Sequence, residues 1–151
     1  MSDTDLVQLY SRQILALAAD IQHLGRLPAP QGSAYRRSPQ CGSSVTADVV
    51  LKDGRIAEFA QEVRACALGQ ASAGALGHVV LGKTPQELAA ARDRLRAMLA
   101  GGPEPGAPFD DLRFLAAARD FPNRHASIML AWEAVVAAAE DAAGAPVSAA
   151  Q

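Results

Sequence analysis

Apolar residues recur along the chain with two different periods, and the changes of period divide it into a helix, a sheet and a second set of helices. From Thr4 to about Leu24 the spacing is helical, with Leu6, Leu9, Tyr10, Ile14, Leu17, Ala18 and Ile21 on one stripe that Gly25 ends. Pro28, Pro30, Gly32 and Ser33 then read as a loop, and Tyr35 as the start of a short edge strand that Pro39 stops. The period falls to two in Val45 to Leu51 and again in Ile56 to Val63, on either side of Lys52-Asp53-Gly54-Arg55. Asp-Gly between alternating runs predicts a β-hairpin. A three-residue loop puts Phe59 on the same face as Ala47 and Val49, so that register is expected over the two-residue one.

Helical spacing returns after the hairpin. Ala67 to about Leu81 reads as a helix dense in Gly69, Ala71, Ser72, Ala73, Gly74, Ala75 and Gly77. Its glycines lower its intrinsic propensity, so it should be held by tight packing against the sheet or another helix. Thr84-Pro85-Gln86-Glu87 is a capping box with proline at the first helical position. The helix it opens carries Leu88, Ala91, Leu95, Met98 and Leu99 on one face and stops at Gly101-Gly102-Pro103. After a Pro/Gly linker, Phe109 to Ala118 reads as a shorter helix. Asp120-Phe121-Pro122 starts the last one, which runs to about Ala143 with Ile128, Ala131, Trp132, Val135 and Ala139 inward. The order predicts an α+β fold: one small antiparallel sheet, a hairpin plus a short edge strand, packed against several helices. The 151 residues suit a single domain, with the tail after Gly144 frayed.

Composition narrows the function. A net charge of −2 argues against a nucleic-acid binder that relies on charge, and Arg92 to Arg96 alternates with Asp93 as a solvated helix face. No apolar run approaches the ~20 residues of a membrane helix. Met1-Ser2-Asp3-Thr4-Asp5 is acidic and lacks a secretory pattern, which suggests a cytoplasmic protein. There is no Ser/His/Asp triad, phosphate loop or dinucleotide fingerprint.

The chemistry concentrates in Cys41 and Cys66, the two cysteines of the chain. A hairpin folded at Asp53-Gly54 carries both to its open end, and in a reducing compartment such a pair points to a metal or redox site. Two sulfurs at one edge are half of a tetrahedral soft-metal site. Cys66 also stands where a strand hands over to a helix, whose free N–H groups favour a thiolate. His125, in the first turn of the last helix, is a candidate third ligand, although a histidine there is more commonly a solvent-facing polar residue. His23 and His78 fit helix-end positions better than ligand positions.

These residues also resemble a known family, the U-type iron–sulfur cluster scaffolds: IscU, SufU and the N-terminal domain of NifU. The likeness runs from Leu9-Tyr10 through Ser38-Pro39-Gln40-Cys41-Gly42, the hairpin, and Cys66 with its small-residue helix. It continues through Leu81-Gly82-Lys83-Thr84 and Phe121-Pro122-Asn123-Arg124 to Met129-Leu130-Ala131-Trp132-Glu133-Ala134. The long stretch between Cys66 and the last helix is closer to the SufU branch.

The resemblance implies a ligand set of three cysteines and one aspartate. Cys41 and Cys66 match the first two cysteines, Ser43 stands in the place of the aspartate, and Ser127 stands in the place of the third cysteine. Ala126 replaces the histidine found in IscU-like members, while Arg124 matches an arginine of SufU-like members. A scaffold or carrier rather than an enzyme is therefore expected, with Cys41 and Cys66 as ligands and Ser127, Ser43 and His125 as weaker candidates; the resemblance points Ser127 into the site, and His125, about 200° round the helix from it, should point elsewhere. Its cargo would be a [2Fe–2S] cluster or its iron precursor, with zinc as another occupant. Its partners would be a cysteine desulfurase and iron–sulfur recipient proteins, and a homodimer would restore four thiolates. The alternatives are a SufU-like sulfurtransferase, a metal-free scaffold acting through its surface, and a thiol/disulfide redox protein.

Overall fold

The structure is a computed structural model that describes residues 9–144. The N-terminal stripe residue Leu6 and the tail after Gly144 lie outside the described residues.

Three antiparallel strands form one sheet in the order β1-β2-β3: β1 (Gly32–Arg37), β2 (Ser44–Lys52) and β3 (Arg55–Arg64). The β2–β3 turn is two residues long, with Asp53 and Gly54 both at positive φ (54° and 75°) as a type I′ turn requires. The expected three-residue loop is therefore absent, yet the expected register is present. A bulge beyond Leu51↔Ile56 leaves Ala57 unpaired and shifts the pairing by one, to Val50↔Glu58 and Val49↔Phe59. Phe59 thereby joins Ala47 and Val49 in the core. The edge strand expected at Tyr35 is β1, and the short loop Ser38–Ser43 makes β1 and β2 a hairpin too.

Helix α1 (Arg12–Ala19) is capped by Ser11, whose hydroxyl accepts from Ile14 N–H at 3.3 Å. It ends well short of Leu24. The chain leaves the helix to run along the outer edge of β3, where Gln61 N–H donates to His23 O (2.9 Å) and Gly25 N–H to Gln61 O (2.8 Å). Pairing an otherwise open strand edge outweighs the remaining turn or so of helix. His23 thus sits in this edge segment rather than at a helix end, its ring edge-on to Phe59.

Helices α2 (Ala67–Val79), α3 (Pro85–Leu99) and α4 (Pro122–Ala143) follow. The Thr84/Glu87 capping box is closed in both directions. His78 lies in the last turn of α2 and meets Asp20. Between α3 and α4 the chain forms not an α-helix but a 3-10 helix, Asp110–Ala118. Its buried residues explain this, because Phe109, Leu112, Leu115 and Ala118 recur at every third position. Three residues per turn keep them on one line, whereas an α-helix would rotate the last away from the first.

Helix α4 is the hub of the core. It packs on β1, β2, α2 and α3, and Gly144 closes it in the left-handed conformation. Ile128, Ala131, Trp132, Val135 and Ala139 are all buried as expected, and so are Ser127, Met129, Leu130, Ala134, Val136 and Ala138. Helix α2 is pressed between neighbours where its glycines lie: Gly69 against Ser127 and Ala65, Gly74 against the Leu17 carbonyl, Gly77 against Gln22. The sheet holds one buried carboxylate. Asp48 accepts from Arg26 (2.6 and 3.1 Å), Leu27 N–H (3.1 Å) and Ser33 Oγ (2.7 Å). Burial pushes its pKa up, but these donors outweigh that and hold it below the usual carboxylate range.

Candidate functional site

Two chain reversals build the site at one end of the sheet. The loop after β1 is a tight turn, closed by Ser38 N–H to Ser43 O (2.8 Å) and Gly42 N–H to Ser38 O (3.1 Å). Gly42 takes the positive φ (74°) that lets the chain reverse there. This turn exposes Cys41 and buries Ser38 and Ser43 beneath it. On the neighbouring strand, β3 ends at Arg64, and Cys66 is the N-cap residue of α2. The Cys66 side chain makes no capping hydrogen bond, so its sulfur is left to face the first turn of α4.

The gap between the two thiols is spanned by hydroxyls. Cys41 Sγ lies 3.1 Å from Ser43 Oγ, Ser127 Oγ donates to Ser43 Oγ at 3.1 Å, and Cys66 Sγ is 3.6 Å from Ser127 Oγ. Ser127 is buried and reaches this position because residue 69 of α2 has no Cβ: one placed there would lie 2.6 Å from Ser127 Oγ. Ser72 Oγ, one turn further along α2, donates to Ile128 O at 2.6 Å and pins the same turn of α4.

The four residues Cys41, Cys66, Ser43 and Ser127 thus come together. His125 does not join them: its Nε2 pairs with the Ala118 carbonyl at 2.8 Å, at the end of the 3-10 helix. Arg124 does, lining one cleft with Cys41, Gly42, Ser43, Arg64, Ala65 and Cys66. Among the described residues, no three His, Cys, Asp or Glu side chains gather at one point.

In the structure the Cys41 thiol donates to Ser43 Oγ; once it ionises, the surrounding hydroxyls can turn to donate to the thiolate and so favour it. Ser38 has the largest effect, followed by the Ser43 hydroxyl and backbone N–H; slight burial opposes them, and Ser127 adds to them. Together they bring the Cys41 thiol down to about 7. Ser38 and Arg64 were not singled out from the sequence. Ser38 Oγ is buried with no hydrogen-bond partner, which leaves it free to turn toward the Cys41 sulfur. Its position before the Pro39 turn carried a signal, since serine hydroxyls favour such turns. Arg64 gives no signal beyond its place at a strand end.

Residues 9–146 match the family described as the NifU-like N terminal domain. The chain is 25% identical over 146 residues to an iron–sulfur cluster assembly scaffold protein IscU of Streptococcus pyogenes serotype M1, covering 96% of this chain and 91% of that one. Among solved structures, it superposes on the N-terminal part of a NifU-like protein from Brucella abortus with a TM-score of 0.90 and 38% identity, over 93% of this chain and 98% of that one. A putative SUF-system scaffold from Fervidobacterium islandicum AW-1 shares the fold, with a TM-score of 0.80 at 20% identity over 88% and 98% of the two chains. No helix among the described residues is long and apolar enough to cross a membrane. With a match over nearly its whole length and a sheet-and-helix arrangement that superposes throughout, the chain belongs to the NifU-like N-terminal domain family of iron–sulfur cluster assembly scaffolds.

Proposed function

We propose that this protein is a stoichiometric carrier in iron–sulfur cluster assembly, with Cys41 and Cys66 as its cluster ligands. The observation that carries this is the convergence of both thiols, one from the turn after β1 and one from the start of α2, on the single hydroxyl pair Ser43–Ser127 within the scaffold fold. Serine hydroxyls are poor soft-metal ligands at neutral pH, so each protomer offers two thiolates. A [2Fe–2S] centre needs four. The other two come from a second protomer or a recipient protein, so cluster occupancy rises with protein concentration and falls on dilution. The cysteine desulfurase is the partner that supplies sulfur, as a persulfide that a two-electron reductant takes to sulfide.

The test is anaerobic reconstitution with iron, L-cysteine, a cysteine desulfurase and a non-thiol reductant, followed by iron, sulfide and zinc analysis, the visible spectrum and sedimentation. A cluster-loaded species that sediments as a monomer without added thiol refutes the shared site. A chain that takes up neither iron nor sulfide refutes the carrier role.

A second reading is favoured by the exposure of Cys41 and its thiol near 7. The Cys41 thiolate attacks the terminal sulfur of a desulfurase persulfide. An S–S bond forms at Cys41 as the desulfurase's own S–S bond breaks, and the desulfurase cysteine leaves as thiolate, with no net oxidation. Mass analysis of Cys41 after exposure to desulfurase and cysteine reads this step directly.

A further inference from the structure

The geometry points to a two-coordinate site for a soft monovalent cation, Cu(I), held by Cys41 and Cys66 of one protomer. The inference rests on the proposed function for the role of these two sulfurs as ligands, but not on iron or sulfide. Zinc and iron–sulfur centres call for four good donors, and the neighbours available here are the hydroxyls of Ser43 and Ser127. A d10 monovalent cation needs only the two thiolates, and thiolates are the ligands that select Cu(I). Binding releases both thiol protons, changes no oxidation state and leaves a bis-thiolate complex of net charge −1.

The surroundings suit that product in three ways. Ser43 and Ser127 already stand within reach of the sulfurs, and can donate to them in the complex without occupying the metal. Arg64 and Arg124 line the same cleft, and among the described residues neither is in an ion pair, so both are free to offset the complex's negative charge. Cys66 is held at the start of α2, while Cys41 is exposed on the turn after β1, open to an incoming cation.

The test is a titration of the metal-free protein with Cu(I) buffered by a chromogenic Cu(I) chelator, without oxygen, together with copper X-ray absorption. One Cu(I) per chain with two sulfur neighbours is expected, and Zn(II) under the same conditions should bind more weakly by about two orders of magnitude. Cys41→Ser and Cys66→Ser should each weaken Cu(I) by a similar factor while circular dichroism shows the fold intact. Ser127→Ala should keep it, and Arg64→Gln/Arg124→Gln, with both thiols present, should weaken it several-fold. The inference is overturned if Cys66→Ser binds Cu(I) as well as wild type, if Ser127→Ala loses it, if Zn(II) competes on equal terms, or if one copper bridges two chains. Cluster reconstitution on the same preparations separates the two ideas. Cu(I) binding without cluster uptake removes the carrier role alone, and cluster uptake without Cu(I) binding removes this inference alone.

Discussion

Gly69→Ala tests whether the close approach of α2 to α4 sets the site, because two opposing effects give it a decisive sign. In a free helix the substitution stabilises by about 1 kcal/mol, since glycine pays more backbone entropy than alanine. Here the new Cβ would lie 2.6 Å from Ser127 Oγ, 2.7 Å from Ala65 Cβ and 3.2 Å from the Ser127 carbonyl oxygen. The hydroxyl can rotate away, but Ala65 is joined directly to Cys66, and the carbonyl belongs to the backbone of α4. Overpacking of this kind costs about 1–3 kcal/mol, leaving a net loss of about 1 kcal/mol after the helix gain. For a domain of this size that lowers Tm by about 2–4 °C, read by thermal and urea unfolding. Gly74→Ala should cost more, because its Cβ would meet the Leu17 carbonyl, where no side chain can yield. Adding Ser127→Ala to Gly69→Ala should recover part of the loss, as coupled neighbours do. A Gly69→Ala protein more stable than wild type, or a Gly74→Ala protein no worse than Gly69→Ala, would refute the close-packing argument.

Three further outcomes follow from the site and the sheet. Cys41 should be alkylated by iodoacetamide with a midpoint near pH 7, and Ser38→Ala and Ser43→Ala should each move that midpoint upward by removing donors that favour the thiolate; an unmoved midpoint in both refutes the hydroxyl account. Ser127→Cys should raise zinc and cluster content after purification, and Ser43→Asp should add to it, because the new donors stand where the hydroxyls already approach the sulfurs. Asp48→Ala should cost roughly 1–3 kcal/mol at pH 7, because it removes a buried acceptor on which three residues, Arg26, Leu27 and Ser33, converge. The folded pKa of Asp48 lies below its unfolded value, so its contribution is present above pH ~4 and is lost as pH falls through the folded value. Urea midpoints across acid pH should therefore fall more steeply for wild type than for the variant.

The sequence alone carried the element order, the strand pairing and the family likeness, because each rests on local rules. Asp53-Gly54 demands a tight turn, Thr84 to Glu87 caps its helix within four residues, and apolar periodicity separates strand from helix without reference to the rest of the chain. Cys41 and Cys66 were legible for the same reason, since a hairpin's ends must meet wherever its turn is fixed. What the tertiary structure decided were the choices in which distant groups compete for one segment. Helix α1 stops at Ala19 because the open edge of β3 needs backbone partners that residues 23–25 supply. The Phe109–Ala118 stretch tightens to a 3-10 helix because its apolar positions repeat in threes against the core. Phe59 reaches the expected face through a bulge that the two-residue turn alone does not imply. The side of α4 that meets the thiols was already expected from the family likeness and the helical angle between Ser127 and His125; packing supplied the room for it, with the gap at Gly69 admitting Ser127 while His125 turns to the Ala118 carbonyl. Such outcomes depend on space and unpaired polar groups contributed by residues far apart in the chain, and those become visible only when the elements are packed together.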